Sequence, residues 1–515
     1  MAEKSQLKSG VILSYINLII GNIVPLFYTP IMLRIMGQSE YGLFALASSV
    51  TSYLSLISLG IGSAVVRYLI KFRAKGDTDG ESRMLGLFFL VFSVFSIIVL
   101  FAGTILSFNV NEIYDQALTL DELFKMRILI LIISFNMAIS LVFSVFTSVI
   151  VAHERFIFQQ CLNISTTIIP SVLNIVVLSM GFASIGIAIC SLILTILTNI
   201  IYTFYCYKKI KIRPVFRDMP FYLIKEIVTF SFFVFLANVV NILHASTDKV
   251  IIGAKLGTAS TAVYNIGLTF SNIIMSISVT MSTLLTPKIT ALVDSGASKD
   301  ELTSVLIKVG RLQFLMLGLI VGGFATFGRP FIHIYAGPEY SLSFPVALLL
   351  IVPSIVPLIQ NVALSIIMAL NKHKARSLVN LGTAILNVFF TIYLIPYWGI
   401  VGAAFTTFCC NIIGSVLFMN WYYYKVVKLD IPKFWKEIIR LMPVPIILTV
   451  IGLLTGIFVN YSNIIIFIIA VLIYTLLYIS LIWHKLNEYE LGIIKGLFNK
   501  VIKIFKHNNK EEAGQ

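Results

Sequence analysis

Charge is scarce in this chain, and acidic charge is scarcest. Asp and Glu number 23 among 515 residues, and charged residues of both signs make up 12%, about half the roughly 25% of a soluble domain. Cysteine is also sparse. Cys161, Cys190, Cys206, Cys409 and Cys410 all sit in or at the ends of apolar runs, without metal-ligand spacing. That pattern excludes a disulfide framework and a zinc site, so no metal is expected. No Gly-rich phosphate loop of the Walker type occurs, which excludes ATP use by this chain, and no cofactor is called for. Long loops are missing too. The longest outer loop, "NVNEIYDQALTLDELF" from Asn109 to Phe124, is acidic and too short for a folded domain. A membrane glycosyltransferase or polymerase would carry catalytic groups on a sizeable outer loop. The first outer loop offers only Glu40, so no catalytic residue is assigned and an enzyme is disfavoured.

Apolar residues fill the space left by these absences, at 58% of the chain. A water-soluble core cannot absorb that much apolar surface, so the solvent is lipid. A helix needs about 20 apolar residues to cross the hydrocarbon. Runs of that kind fall at 10–33, 42–69, 85–108, 127–150, 159–180, 184–206, 227–247, 259–284, 309–328, 345–369, 377–396, 399–423, 441–459 and 463–483. The expected fold class is therefore all-α, a polytopic membrane protein of about fourteen transmembrane helices. The first run lacks a small-residue cleavage pattern and reads as a retained helix. Pro25, Pro170, Pro353 and Pro357 lie inside runs, where neighbouring helices can satisfy the freed backbone groups.

An even number of spans puts both termini on one side. Of 38 Lys and Arg, only Arg34, Lys125, Arg127, Lys249, Lys255 and Arg329 fall in the loops of the other side, while Arg67 and Arg311 lie within or near helices. The positive-inside bias then places both termini in the cytoplasm. It also accounts for the basic balance without a nucleic-acid partner, and "KKIKIRP" at Lys208–Pro214 becomes a stop-transfer loop. In the tail, Ile494, Leu497, Phe498, Val501 and Phe505 fall on one helical face, accompanied by Lys495, Lys500, Lys503 and Lys506. This predicts a basic amphipathic helix on the inner leaflet.

The chain repeats itself. Gly37 and Gly257 stand 220 residues apart, as do Phe44 and Tyr264, and Arg34–Lys255 and Arg67–Lys288 are each separated by 221. Ala152–Ala369 and Asn163–Asn380 recur at 217, and Gly186–Gly402 at 216. The steady offset predicts two six-helix bundles in a parallel pseudo-twofold repeat, at 1–220 and 221–436. Two additional helices follow at 437–483, then a cytoplasmic tail at 484–515. Two equally oriented repeats around a central cavity are a transporter architecture with alternating access. The Gly37 and Gly257 stretches are then the tight turns joining the first two helices of each half.

The stretches "TPIMLRIMGQSEYGLFALASSVTSYLSLISLGIGSAVVRYL", "VAHERFIFQQ" and "STDKVIIGAKLG" resemble the polysaccharide-transport branch, the Wzx-type oligosaccharide flippases, of the multidrug/oligosaccharidyl-lipid/polysaccharide exporter superfamily. The resemblance covers essentially the whole chain. It implies a MATE-like fold and movement of undecaprenyl-diphosphate-linked sugar units across the bacterial plasma membrane for cell-surface polysaccharide synthesis. The implied partners are the lipid-linked oligosaccharide and the bilayer, with polysaccharide polymerase and glycosyltransferases as further candidates. A cation-coupled multidrug antiporter and a lipid II flippase of the same superfamily are the alternatives. The antiporter would want carboxylates within the spans, and these are short.

The candidate site residues follow from charge and polarity at membrane depth. Arg67 and Lys288, one per half near the inner face, are candidates for diphosphate capture, Arg as a bidentate fork and Lys as a point charge; snorkelling is the plainer alternative. Arg34 and Lys255 could serve the outward-facing state. Asn17, Asn22, Asn238 and Asn241, on symmetry-related helices, could face sugar hydroxyls or simply bond between helices. Asp248 and His244, four apart on one face, are the expected ion-coupling pair, with helix-end solvation as the alternative.

Overall fold

The computed structural model describes residues 2–492, apart from 59, 284 and 462. The basic amphipathic helix expected over 494–506 lies outside the described residues. Among the described residues every regular element is helical. Nine helices are long and apolar enough to cross a membrane, and two bent pairs, Ser343–Ile359 with Asn361–Ala369 and Ile431–Ile439 with Pro443–Phe458, raise the number to 11.

Three of the nine, Leu13–Ala74, Phe221–Thr280 and Lys374–Val427, run for 62, 60 and 54 residues, far beyond the about 20 that one crossing needs. Each holds a glycine whose backbone leaves the helix: Gly37 at φ 77°, ψ 171°, Gly257 at φ 81°, ψ −174°, and Gly399 at φ 56°, ψ −141°. A side chain resists such angles, so glycine is what allows the chain to bend there. Each of the three is thus two helices joined at an elbow, and the described residues supply fourteen crossings, the number the apolar runs predict.

The repeat is written in the backbone as well. Gly37 and Gly257 share one unusual conformation 220 residues apart. Gly76 and Gly296 do so at 220, Glu154 and Asn371 at 217, Ala183 and Gly399 at 216, and Lys211 and Lys428 at 217, all with positive φ. Before each of the last two, a π-helical turn closes the helix, at Cys206–Ile210 and Tyr423–Val427. Asp77 and Ser298, 221 apart, cap the N-termini of corresponding helices, accepting from the backbone N–H groups of Gly80 and Glu301. Glu154–Asn371, Ala183–Gly399 and Asp77–Ser298 carry different residues yet share their backbone roles, so the duplication reaches beyond the residue matches.

Two expected spans begin or break differently from the apolar runs. The helix expected from 127 starts at Leu120, because Thr119 and Glu122 form a reciprocal capping box. The second span breaks after Ser52 into a 3₁₀ turn over Tyr53–Ser58. Ser52, Ser55 and Ser58 each donate to the carbonyl three residues back, which favours the tighter turn. The chain then re-enters a helix at Gly62–Ala74.

Packing divides the chain into two compact units, Met1–Ile266 with Ala384–Thr406, and Gly267–Thr383 with Thr407–Gln515. The first has a core of Ile61, Val65, Tyr68, Leu69, Phe88, Phe92, Phe146 and Val149, and another around Leu43, Leu46, Leu123, Met126 and Leu129. In the second, Leu306, Leu317, Ile332, Val346, Ile366, Phe434 and Ile438 are buried. Large apolar side chains also cover the outside: Phe101 is 68% exposed, Leu476 66% and Phe458 88%. Surface this apolar suits hydrocarbon, not water.

Candidate functional site

The first unit brings the two elbows together, and small residues make the approach possible. A Cβ on Gly42 would collide with the backbone carbonyl of Thr258, and one on Gly253 would collide with the side chain of Leu46. Gly42 corresponds by the 220 offset to Ala262, whose backbone N would be 3.2 Å from that Cβ. Helices in lipid gain their packing energy from such close contacts.

Above this contact sits a carboxylate bridge. Glu122 accepts from Ser39 Oγ at 2.5 Å and from Thr258 Oγ1 at 2.6 Å, one hydroxyl from each elbow. The two hydroxyls are themselves 2.9 Å apart. Next to it, Lys125 Nζ lies 2.5 Å from Glu40 and 2.8 Å from Asp121, and Ser184 donates to the other Glu40 oxygen at 2.6 Å. Asp, Glu and Lys pair here at the ends of helices, where the charges keep partial access to water.

Further along the same helix pair a polar seam continues. The hydroxyls of Ser52 and Ser246 lie 2.8 Å apart, and Tyr53 and Thr247 share a 2.6 Å hydrogen bond. Asp248 follows directly. It is 4% exposed, and its two oxygens accept from Tyr264 Oη at 2.6 Å and Thr391 Oγ1 at 3.2 Å. A buried carboxylate without partners would be costly, and the hydroxyls offset that cost. Helix-end solvation, the alternative weighed for Asp248, is thus replaced by burial. His244, one turn earlier, is half-buried.

The other sequence-predicted residues are distributed more loosely. Arg34 and Lys255 flank the elbows and are exposed. Arg67 is exposed, with its guanidinium 4.7 Å from the centre of the Phe230 ring. Lys288 is exposed on the Thr286–Asp294 helix. Asn17 donates to Gln160 at 3.1 Å, the interhelical use. Asn22 donates to the Leu18 carbonyl of its own helix at 2.8 Å. Asn238 and Asn241 are half-buried and exposed, respectively. The structure therefore clusters Asp248 with hydroxyls and the elbow residues with Glu122, while Arg67 packs on Phe230.

Reading the sequence missed several buried charges. Glu81 is 2% exposed and lies 3.5 Å from His153 Nε2. Glu490 is fully buried and binds Arg311 through both oxygens, at 2.6 and 3.0 Å. Arg311 also reaches Glu437 at 3.1 Å. A local signal existed for Glu490, which closes a capping arrangement with Asn487. Nothing local marks Glu122 as a bridge, since its two hydroxyl partners come from distant turns.

A family model described as a polysaccharide biosynthesis protein matches residues 31–345. The chain belongs to that family. The matched region holds both elbows, Glu122 and Asp248. Among relatives, the family member is 23% identical over 326 residues to the uncharacterized membrane protein EpsK of Bacillus subtilis (strain 168), covering 62% of this chain. The chain spans 63% of the length of that curated relative. Among solved structures it resembles the lipid II flippase MurJ in an inward closed conformation, with a TM-score of 0.70 at 17% identity, over 92% of this chain and 97% of that one. It also resembles an inward-facing multidrug resistance MATE family transporter of the MOP superfamily, with a TM-score of 0.59 at 14% identity, over 80% and 96% of the two chains. The chain thus shares the fold of these two solved structures and belongs to the family described as polysaccharide biosynthesis proteins.

Proposed function

We propose that this family member is a flippase that moves undecaprenyl-diphosphate-linked oligosaccharide units across the bacterial plasma membrane by alternating access, with both termini in the cytoplasm. The observation that carries the reading is the paired elbows. Gly37 and Gly257 repeat one backbone conformation, and the turns they form are tied through a single carboxylate, Glu122. In the proposed orientation this contact is an outer gate, held by hydroxyl–carboxylate bonds that can be exchanged for water when the gate opens.

Cargo of negative charge fits the distribution of ionisable groups. The buried carboxylate of the polar seam accepts from two hydroxyls, whereas the repeated cations Arg67 and Lys288 stay exposed. Each is a candidate for a phosphate of the cargo. Polar side chains such as Asn238 and Asn241 would then meet sugar hydroxyls, and Arg34 and Lys255 would receive the headgroup at the outward side. The matched MurJ is named as a lipid II flippase, which supports a lipid-linked substrate here. Polymerase and glycosyltransferases would act on the same lipid-linked units before and after translocation.

The test is flipping of a lipid-linked oligosaccharide in proteoliposomes. Arg67→Ala and Lys288→Ala are expected to lower the rate about tenfold or more in combination, with the protein level unchanged. An unaltered rate in the double variant would return both residues to snorkelling. Asp248→Asn is expected to flatten the dependence of flipping on pH or membrane potential while substrate binding survives. An unchanged dependence would remove Asp248 and His244 from coupling. Export of cationic drugs by the same vesicles, with no flipping of lipid-linked sugar, would favour the antiporter alternative.

A further inference from the structure

The second unit carries a feature that the transport reading does not use. Two cavities meet at one end of the helices Pro443–Phe458 and Ile464–Trp483. The first is an open cleft of about 500 Å³ lined by Arg329, His333, Ser341, Asn460 and the 456–459 turn. The second is an apolar groove of about 300 Å³ that shares Val459 and Tyr461 with the cleft. Its walls are Leu448, Ile451 and Thr455 on one helix and Ile466, Ile469 and Ile473 on the other. These residues recur at three- and four-residue steps, so each set forms one stripe along its helix.

Position and chemistry point to a single kind of occupant. The cleft lies where the helices Lys299–Tyr335 and Pro443–Phe458 end and Ile464–Trp483 begins. In a spanning protein that is the level of the headgroups. Arg329 and His333 stand four residues apart on one helical face, so both can address one ligand. Both are exposed, and among the described residues neither side chain bonds to another side chain. No carboxylate lines the cleft. Below it the groove presents hydrocarbon, and the outward faces of the same two helices are apolar, with Ile457 73% and Leu476 66% exposed.

We propose that the cleft and groove form a binding site for an anionic phospholipid of the surrounding bilayer. Arg329 holds the headgroup phosphate through its planar fork, His333 and Asn460 offer further N–H donors, and one acyl chain lies in the groove between the two helices. A cationic cleft joined to an apolar slot matches a negatively charged amphiphile. It does not match a free phosphate, which has no use for the groove, and it favours an anionic lipid over a zwitterionic one, whose phosphate is already balanced by its own headgroup cation. The two grooved helices lie beyond the duplicated part of the chain, while Arg329 and His333 belong to its second half.

Native mass spectrometry of the full-length protein, delipidated and titrated with phosphatidylglycerol or phosphatidylcholine, tests this. The wild type is expected to retain phosphatidylglycerol about tenfold better than phosphatidylcholine. Arg329→Ala with His333→Ala should erase that preference, and Arg329→Lys should restore part of it. Ala470→Trp, which fills the groove, should lower retention of both lipids, with a monodisperse elution profile as the folding control. Equal retention of the two lipids by the wild type would overturn the proposal, as would an unchanged preference in the double alanine variant. Displacement of phosphatidylglycerol by inorganic phosphate alone would also overturn it. Displacement by a lipid-linked oligosaccharide at lower concentration than by phosphatidylglycerol would reassign the site to cargo.

Discussion

Single charges decide more here than their number implies, because each one buried in lipid needs a partner. Arg311 is the clearest case. It is 4% exposed, and its guanidinium is shared between Glu490 and Glu437. Breaking a buried pair strands the remaining charge, a loss of about 3–5 kcal/mol. Glu490→Gln leaves Arg311 with Glu437 alone and is expected to cost about 3 kcal/mol, read as a lowered unfolding temperature in detergent. Glu437→Gln should cost less, because Glu437 is partly exposed and already shared with Arg440. The sequence marks Arg311 as unusual by its place in a helix. It gives no hint that the partner sits 179 residues later, since that pairing depends on how the segment after the last span folds back.

Among the elements, the elbows and the broken second span determine what the chain can do. Gly37 and Gly257 let a helix leave its axis without an intervening loop, and Gly42 allows the two elbows to touch. Gly42→Ala places a methyl group against the Thr258 carbonyl. Overpacking of that kind costs about 1–3 kcal/mol. The substitution should therefore shift the protein away from the arrangement in which the elbows touch. The expected result is an increased reactivity of a cysteine placed at Ser39 with a water-soluble reagent. Unchanged reactivity would show that the elbows already part freely. The doubled glycine was legible as an echo in the sequence. The contact between its two copies was not, because facing across helices depends on rotation about axes that residue spacing leaves open.

For the whole molecule the open quantity is sidedness. Fourteen crossings with a basic bias in one set of loops place the 109–124 segment opposite the termini. In a cysteine-free background, Glu112→Cys should react with an impermeant reagent added to intact cells, and Lys209→Cys should react only after the membrane is opened. Both positions are exposed, so the difference reports the side and not burial. The reverse pattern would invert the proposed orientation and with it the assignment of the elbows to an outer gate.

Composition and periodicity by themselves determined the solvent, the helical class and the number of crossings. Those follow from apolar length alone, and apolar length is additive along a chain. The repeat was also present in the residues at offsets of 216–221, and it reappears in the shared positive-φ positions. Only the tertiary structure decided which polar groups are paired. For Asp248 the sequence left ion coupling and helix-end solvation side by side, and the structure buries it against Tyr264 and Thr391. Glu122 looked like a loop acid, yet it caps a helix and joins two elbows. Arg67 and Lys288 match in sequence but sit in different surroundings, one against an aromatic ring and one exposed on a short helix. The reason is common to all of them. A side chain's ionic and hydrogen-bonding environment is set by segments that approach it in space, and the sequence fixes its own segment's character without fixing which others come near.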